Sequence, residues 1–230
     1  LDGANVNQLV LEGVFGRCSQ VTKTHQLMKQ GHVAHLKVKV IVLKHDEQIF
    51  DGYQDEIEYL CEHEQRNKFI RNLACDLKGN TLVLFNYVEK HGLPLYELIN
   101  SHTDKPVHLV YGGVDVDDRE HIRSLVENED DQIIVASYGT FSTGINIKRL
   151  HNVIFASPSK SRIRNLQSIG RVLRRDRGKV EATLYDIADD ISRDNGKNYT
   201  LLHLFERLKI YRDEKFNYEI IDVKVKSNGN

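Results

Sequence analysis

Gln167, Gly170, Arg171 and Arg174 fall at i, i+3, i+4 and i+7. On a helix that spacing puts all four on one face. Two arginines a turn apart can fork onto phosphate oxygens, a geometry lysine does not match. Gly170, next to Arg171, lets a partner surface or a phosphate chain come close to the backbone. Ile169 and Val172 suit the opposite, buried side. A second group lies upstream, directly after the apolar run Gln132–Ser137. Ser137, Thr140, Ser142 and Thr143 supply hydroxyls there, and Gly139 and Gly144 supply backbone freedom. Hydroxyls and backbone N–H groups in such a turn suit contacts to a sugar-phosphate chain. Singly, each group has a plain explanation: a solvated basic helix, and ordinary turn and N-cap chemistry. Together they point to one surface meeting two kinds of phosphate.

The charge distribution supports an anion-facing side. The 230 residues carry 32 Lys plus Arg against 33 Asp plus Glu, a formal net charge of −1. Between Gly144 and Arg177, however, nine cations face one acid, Asp176, for a local +8. The remainder of the chain is therefore at −9. A basic stripe on an acidic body suits a local anion groove, not a histone-like or tail-type binder. The composition, 40% apolar and 28% charged, is that of a globular chain with a sizeable core and excludes collagen, rods and disorder. No stretch approaches the roughly 20 apolar residues that span a bilayer.

Several chemistries are missing from the sequence. There is no G-x-x-x-x-G-K-[ST] loop, and Gly112-Gly113 and Gly139-Thr140 are too sparse to cradle a triphosphate alone. Asp189-Asp190 reads as a helix start, where acidic groups meet the favourable end of the dipole. Asp117-Asp118 and Asp130-Asp131 read as solvated surface. The eleven histidines are scattered, and neither His102 nor His108 has ligand partners at metal-site spacing. Cys18, Cys61 and Cys75 lack C-x-x-C spacing, so neither a disulfide scaffold nor a zinc site is expected, and a reducing cytoplasmic setting is the simplest reading. The sequence presents no complete catalytic centre of its own.

The elements that must position these groups follow from periodicity. Strands are expected over 36–43, 81–85, 107–111, 132–137, 152–156, 180–187 and 218–225, where apolar runs are short and rich in β-branched residues. Residues 53–75 predict one or two amphipathic helices. Further helices are expected over 92–99, with Pro94 in the first turn, 117–126, 161–174 and 199–211. A short element is expected within 6–15 and a brief helix over 21–29. Strands alternating with helices imply βα crossovers and a mostly parallel sheet. Functional loops then gather beyond the carboxyl ends of the strands, at 111–113, 137–144 and 157–160.

These residues resemble the second motor domain of superfamily 2 helicases, and within them the phage UvsW helicase family. Gln167-Ser168-Ile169-Gly170-Arg171-Val172-Leu173-Arg174 is similar to their motif VI, Q-x-x-G-R-x-x-R. Ser137 to Ile147 is similar to motif V, with Gly144-Ile145-Asn146 in place of the commoner Gly-x-Asp. Thr81 to Phe85 is similar to motif IV. Tyr111-Gly112-Gly113 followed by Arg119 resembles the intervening loop that touches the tracking strand.

The resemblance implies an α/β fold: a RecA-like, mostly parallel sheet flanked by helices, with small N-terminal and C-terminal additions. Residues 36–190 would form the RecA-like domain. Residues 1–35 would be a remnant of the inter-lobe motif III region with a lead-in, and 191–230 a helix and strand extension. It implies a partner, a missing N-terminal RecA-like lobe carrying the phosphate loop. ATP and Mg²⁺ would belong to the complete two-lobe protein, with no cofactor held tightly by this chain alone and no metal ligand in it. Arg171, Arg174 and Gln167 would serve hydrolysis, and Gly144, Asn146 and Gly170 would line the nucleotide. Gly112, Gly113, Arg119, Ser137, Tyr138 and Thr140 would contact single-stranded, forked or branched DNA, or an RNA–DNA hybrid, in the host-cell cytoplasm. The competing expectation is a non-catalytic, sequence-independent nucleic-acid-binding module.

Overall fold

The computed structural model describes residues 13–14, 16, 24–144, 147–157, 159, 161–174, 179, 181–192 and 198–225, with backbone only at 142–144 and 162–164. The expected element within 6–15 lies almost wholly outside the described residues, as does Asn146. Seven strands form one sheet: β1 (His35–Lys44), β2 (Thr81–Phe85), β3 (Val107–Val110), β4 (Ile133–Ser137), β5 (Asn152–Phe155), β6 (Glu181–Asp190) and β7 (Asn217–Lys224). Their spatial order is β3-β4-β2-β5-β6-β1-β7, and every neighbouring pair is parallel. The helices are α1 (Thr24–Lys29), α2 (Tyr53–Glu62), α3 (Glu64–Asp76), α4 (Leu93–Asn100), α5 (Val116–Asn128), α6 (Tyr138–Gly144), α7 (Arg162–Val172) and α8 (Tyr199–Asp213).

The unbroken apolar runs of β2 and β4 are buried at every residue, as parallel strands covered on both faces require. One core holds Val38, Val40 and Val42 against Val126 of α5, Phe141 of α6, Val172 of α7 and Ile210 of α8. The other holds Ile41 and Leu43 against Ile70 and Ala74 of α3 and Leu95 and Ile99 of α4. The strand expected after residue 190 thus extends the same sheet, since β7 lies in register beside β1 from Lys37↔Asn217 to Lys44↔Lys224.

Three local features have identifiable causes; the first fits the one or two helices expected, and the other two depart from expectation. The helical stretch 53–75 divides at His63, whose extended backbone starts α3 and whose ring accepts from the Arg66 N–H at 3.3 Å. A π-helical turn, Val88–Gly92, precedes α4. Its last residue must be small, because a Cβ at Gly92 would sit 2.4 Å from the Phe85 ring. Finally, β6 runs on to Asp190, so Asp189-Asp190 is the end of a strand and not a helix start. Asp189 is wholly buried.

Candidate nucleotide and nucleic-acid interface

Helix α7 presents its sequence as the spacing requires. Ser168, Ile169, Val172 and Leu173 face inward, while Gln167 and Gly170 are exposed and Arg171 and Arg174 half-buried. Among the described residues, and apart from its own stretch of helix, no heavy atom lies within 4 Å of where a Gly170 Cβ would stand, so the backbone there is open to approach. The Arg171 guanidinium sits 5.8 Å from the centre of the Phe141 ring on α6, a cation–π contact. Burial, and then the charge of Arg174, lower the Arg171 pKa. The carboxyl end of α7 is held by Lys179, whose buried ammonium donates to the carbonyls of Lys148 (3.0 Å), Arg174 (3.1 Å) and Val172. A cation there also complements the helix dipole.

The turn between β4 and α6 has no intervening loop. The Ser137 hydroxyl accepts from the Thr140 N–H at 3.2 Å and donates to the Thr140 hydroxyl at 2.9 Å, an N-cap for α6. Ser137, Tyr138 and Thr140 are 8%, 1% and 7% exposed, whereas Gly139 is open. Little of these three side chains reaches the surface. Ser137 and Thr140 shape the turn, and Tyr138 is a core residue, its hydroxyl donating to the Ser157 carbonyl at 3.4 Å. The surface left for a ligand is backbone. One strand over, after β3, Gly112 and Gly113 are exposed and Arg119 is half-buried on the first turns of α5. Gly144 ends α6. The side chains of Arg162 and Arg164, and the residues Lys160, Arg175 and Arg177, lie outside what is described.

Residues 64–176 match the family described as the helicase conserved C-terminal domain, a span that contains both candidate groups. Over 233 residues the chain is 40% identical to the ATP-dependent DNA helicase UvsW of Enterobacteria phage T4, covering 94% of this chain and 46% of that protein. This chain carries a helicase C-terminal domain.

The crystal structure of T4 UvsW superposes with a TM-score of 0.69 at 37% identity, covering 84% of this chain and 42% of that one. The Escherichia coli DEAD-box protein SrmB, solved bound to the regulator RraA, gives 0.54 at 12% identity, with 82% and 96% covered, a likeness of fold alone. The chain thus spans about half the length of its phage relative.

Sequence reasoning missed a buried polar cluster at the carboxyl ends of β1, β5 and β6. Asp189 accepts from Arg66 Nε at 2.8 Å and from His45 Nε2 at 2.9 Å. Burial alone would raise its pKa. The Arg66 charge and these hydrogen bonds outweigh that and hold the carboxyl far below the usual range. His91 donates from Nε2 to Asn67 Oδ1 (3.2 Å) and accepts from the Ser157 hydroxyl (3.1 Å), a fixed neutral tautomer. Burial, then the nearby Arg66 charge, push His91 down to about 3. His63 shifts the same way for the same reasons, with His45 adding to it. Only the i, i+3 placement of His63 and Arg66 hinted at this cluster.

The histidine shifts set an expected acid sensitivity. Below about pH 6.5 the unfolded chain protonates these rings while folded His91 stays neutral until about pH 3. Stability should therefore fall as pH drops through that window, at about 1.4 kcal/mol per pH unit for each proton taken up on unfolding. Urea midpoints between pH 7 and pH 4 test this. His91→Gln should flatten the slope by about one proton, and a profile flat from pH 6.5 to 4.5 would contradict the assignment.

Proposed function

We propose that this chain is the second motor lobe of an ATP-dependent DNA helicase or translocase acting on single-stranded, forked or branched DNA, with RNA–DNA hybrids as further substrates. The observation that supports the reading is the row Gln167, Gly170 and Arg171 on α7, with Arg174 just past its last turn. ATP, when bound, supplies the free energy that closing and opening of two lobes converts to stepping. Arg171 and Arg174 would hold its β- and γ-phosphates across the cleft and stabilise charge as it develops. Gln167 would couple nucleotide state to closure, and Gly170 would admit the phosphate chain. Gly144 and Asn146 are assigned to the nucleotide side by their motif. Among the described residues no group of three His, Cys, Asp or Glu is placed to hold a metal ion. By the same resemblance, Mg²⁺ would be held by carboxylates of a first, N-terminal lobe, which is also the proposed partner.

Gly112, Gly113 and Arg119 would meet the sugar-phosphate chain, with the Gly139 backbone beside them. Ser137, Tyr138 and Thr140 would serve that surface from beneath. Residues 36–190 would form the motor unit proper, in the cytoplasm of the host cell.

Steady-state hydrolysis tests the reading. The 230-residue chain alone, which has no G-x-x-x-x-G-K-[ST] loop, should show no DNA-stimulated turnover, and joining it to a phosphate-loop lobe should produce it. Robust turnover by the chain alone would sink the proposal. Binding gives a separate readout. Anisotropy with unrelated DNA sequences should show weak affinity and little sequence preference, with log K falling linearly in log salt, by about 0.7–0.9 per phosphate contacted. Binding that is indifferent to salt, or selective for one duplex, would favour a sequence-reading regulator.

A further inference from the structure

We propose that Arg66 and Arg207 are positioning residues that clamp the connection between β5 and α7 from opposite faces of the sheet, and so fix the arginine-bearing helix. The proposal rests on the reading of α7 given above. Asp186 and Asp189 stand three apart on β6, which sends their side chains to opposite faces. On one face, Arg66 of α3 donates from Nε to Asp189 (2.8 Å) and from Nη2 to the carbonyl of Ala156 (2.7 Å). On the other, Arg207 of α8 donates from Nε to Asp186 (2.8 Å) and from Nη1 to the carbonyl of Ser159 (3.2 Å). Both guanidinium groups are 1% exposed. Tyr211 completes the second pair, its hydroxyl donating to Asp186 at 2.7 Å.

The described residues of the connection are set unlike those of a surface loop. Ala156, Ser157 and Ser159 are all buried, so water does not serve their carbonyls, and each accepts from a buried side chain instead. Ser159 also receives the Asn165 amide of α7 itself, at 3.2 Å. Arginine suits this work because its planar fork reaches a carboxylate and a carbonyl at once in fixed directions. A lysine could keep the ion pair but has only one nitrogen. Helix α7 begins directly after this connection, so a shift of the loop shifts Gln167, Arg171 and Arg174 together. A displacement of about 1 Å can cost on the order of 10²-fold in rate.

The test uses Arg66→Lys and Arg207→Lys in the two-lobe protein. Each should lower kcat for ATP hydrolysis by about 10²-fold while KM for ATP and DNA affinity stay near the parental values. Hydrogen exchange should rise in peptides covering 156–165 and not in β2 or β4. Unchanged exchange at 156–165 would overturn the clamp. Raised exchange there with unchanged kcat would leave the clamp standing and overturn its link to hydrolysis. Should a variant fail to fold, the parental 230-residue chain still decides. Its Arg66 and Arg207 Nε–H resonances should persist at pH 8 in slow exchange with water. Rapid exchange of either would overturn the proposal.

Discussion

Asp189→Asn should destabilise this domain by about 3–5 kcal/mol, because it strands Arg66 as an uncompensated charge in the interior. The pair is closed to solvent, with 1% of the Arg66 side chain and 0% of Asp189 exposed. An asparagine keeps the shape, and its Oδ1 can still accept from Arg66 and His45, which both bond Asp189 Oδ1, but it removes the charge. Arg66→Met should cost less than Asp189→Asn even though it deletes more atoms, because a buried carboxylate can take up a proton and a guanidinium cannot release one. Urea denaturation at pH 7 gives both values. A loss below about 1 kcal/mol for Asp189→Asn is the size of an exposed ion pair and would mean that water reaches the site.

The second large effect concerns chemistry and rests on the proposed function. In the two-lobe protein, Arg171→Ala should lower ATP hydrolysis by about 10³-fold or more, the scale on which a trans-acting arginine contributes to phosphoryl transfer. DNA affinity at low salt should barely move. Arg174→Ala should act in the same direction with a smaller effect. Arg119→Ala should do the reverse, weakening DNA binding while leaving basal hydrolysis near the parental rate. Steady-state ATPase assays paired with anisotropy separate the two surfaces. Equal loss of DNA affinity in all three variants would indicate one undivided binding face.

The parallel sheet was legible in the sequence because burial on both faces leaves a direct trace. Thr81–Phe85 and Ile133–Ser137 are continuous apolar runs, and the described strands match the expected ones to within a few residues. The face of α7 was legible for a similar reason as far as Arg171, since i, i+3 and i+4 are fixed by helical geometry, but the helix ends at Val172 and Arg174 lies past it. The failures share one cause. Whether Asp189 is a helix cap or a buried counter-ion depends on Arg66, 123 residues away, and nothing local encodes that pairing. Tyr138 misled in the same way. Next to hydroxyls in a turn it looks like a surface group, but its ring packs edge-on against Phe155, 5.6 Å between centres. Periodicity reports which face of an element is apolar; it is silent on which polar side chains find partners beneath the surface.

The place of β1 in the sheet carries a consequence for synthesis. It is the first of the seven strands to leave the ribosome, yet its neighbours β6 and β7 are the last two. Lys44 waits for Asp190, 146 residues later. At about 5–20 residues per second, that is an interval of about 7–30 s. Throughout it, Val40–Leu43, four apolar residues with no charge among them, have no strand to pair with, while β2 to β5 can already assemble among themselves. A nascent segment of this kind is prone to wrong edge pairing, and Lys37 and Lys39, set between the apolar residues just before it, are the charges that discourage it.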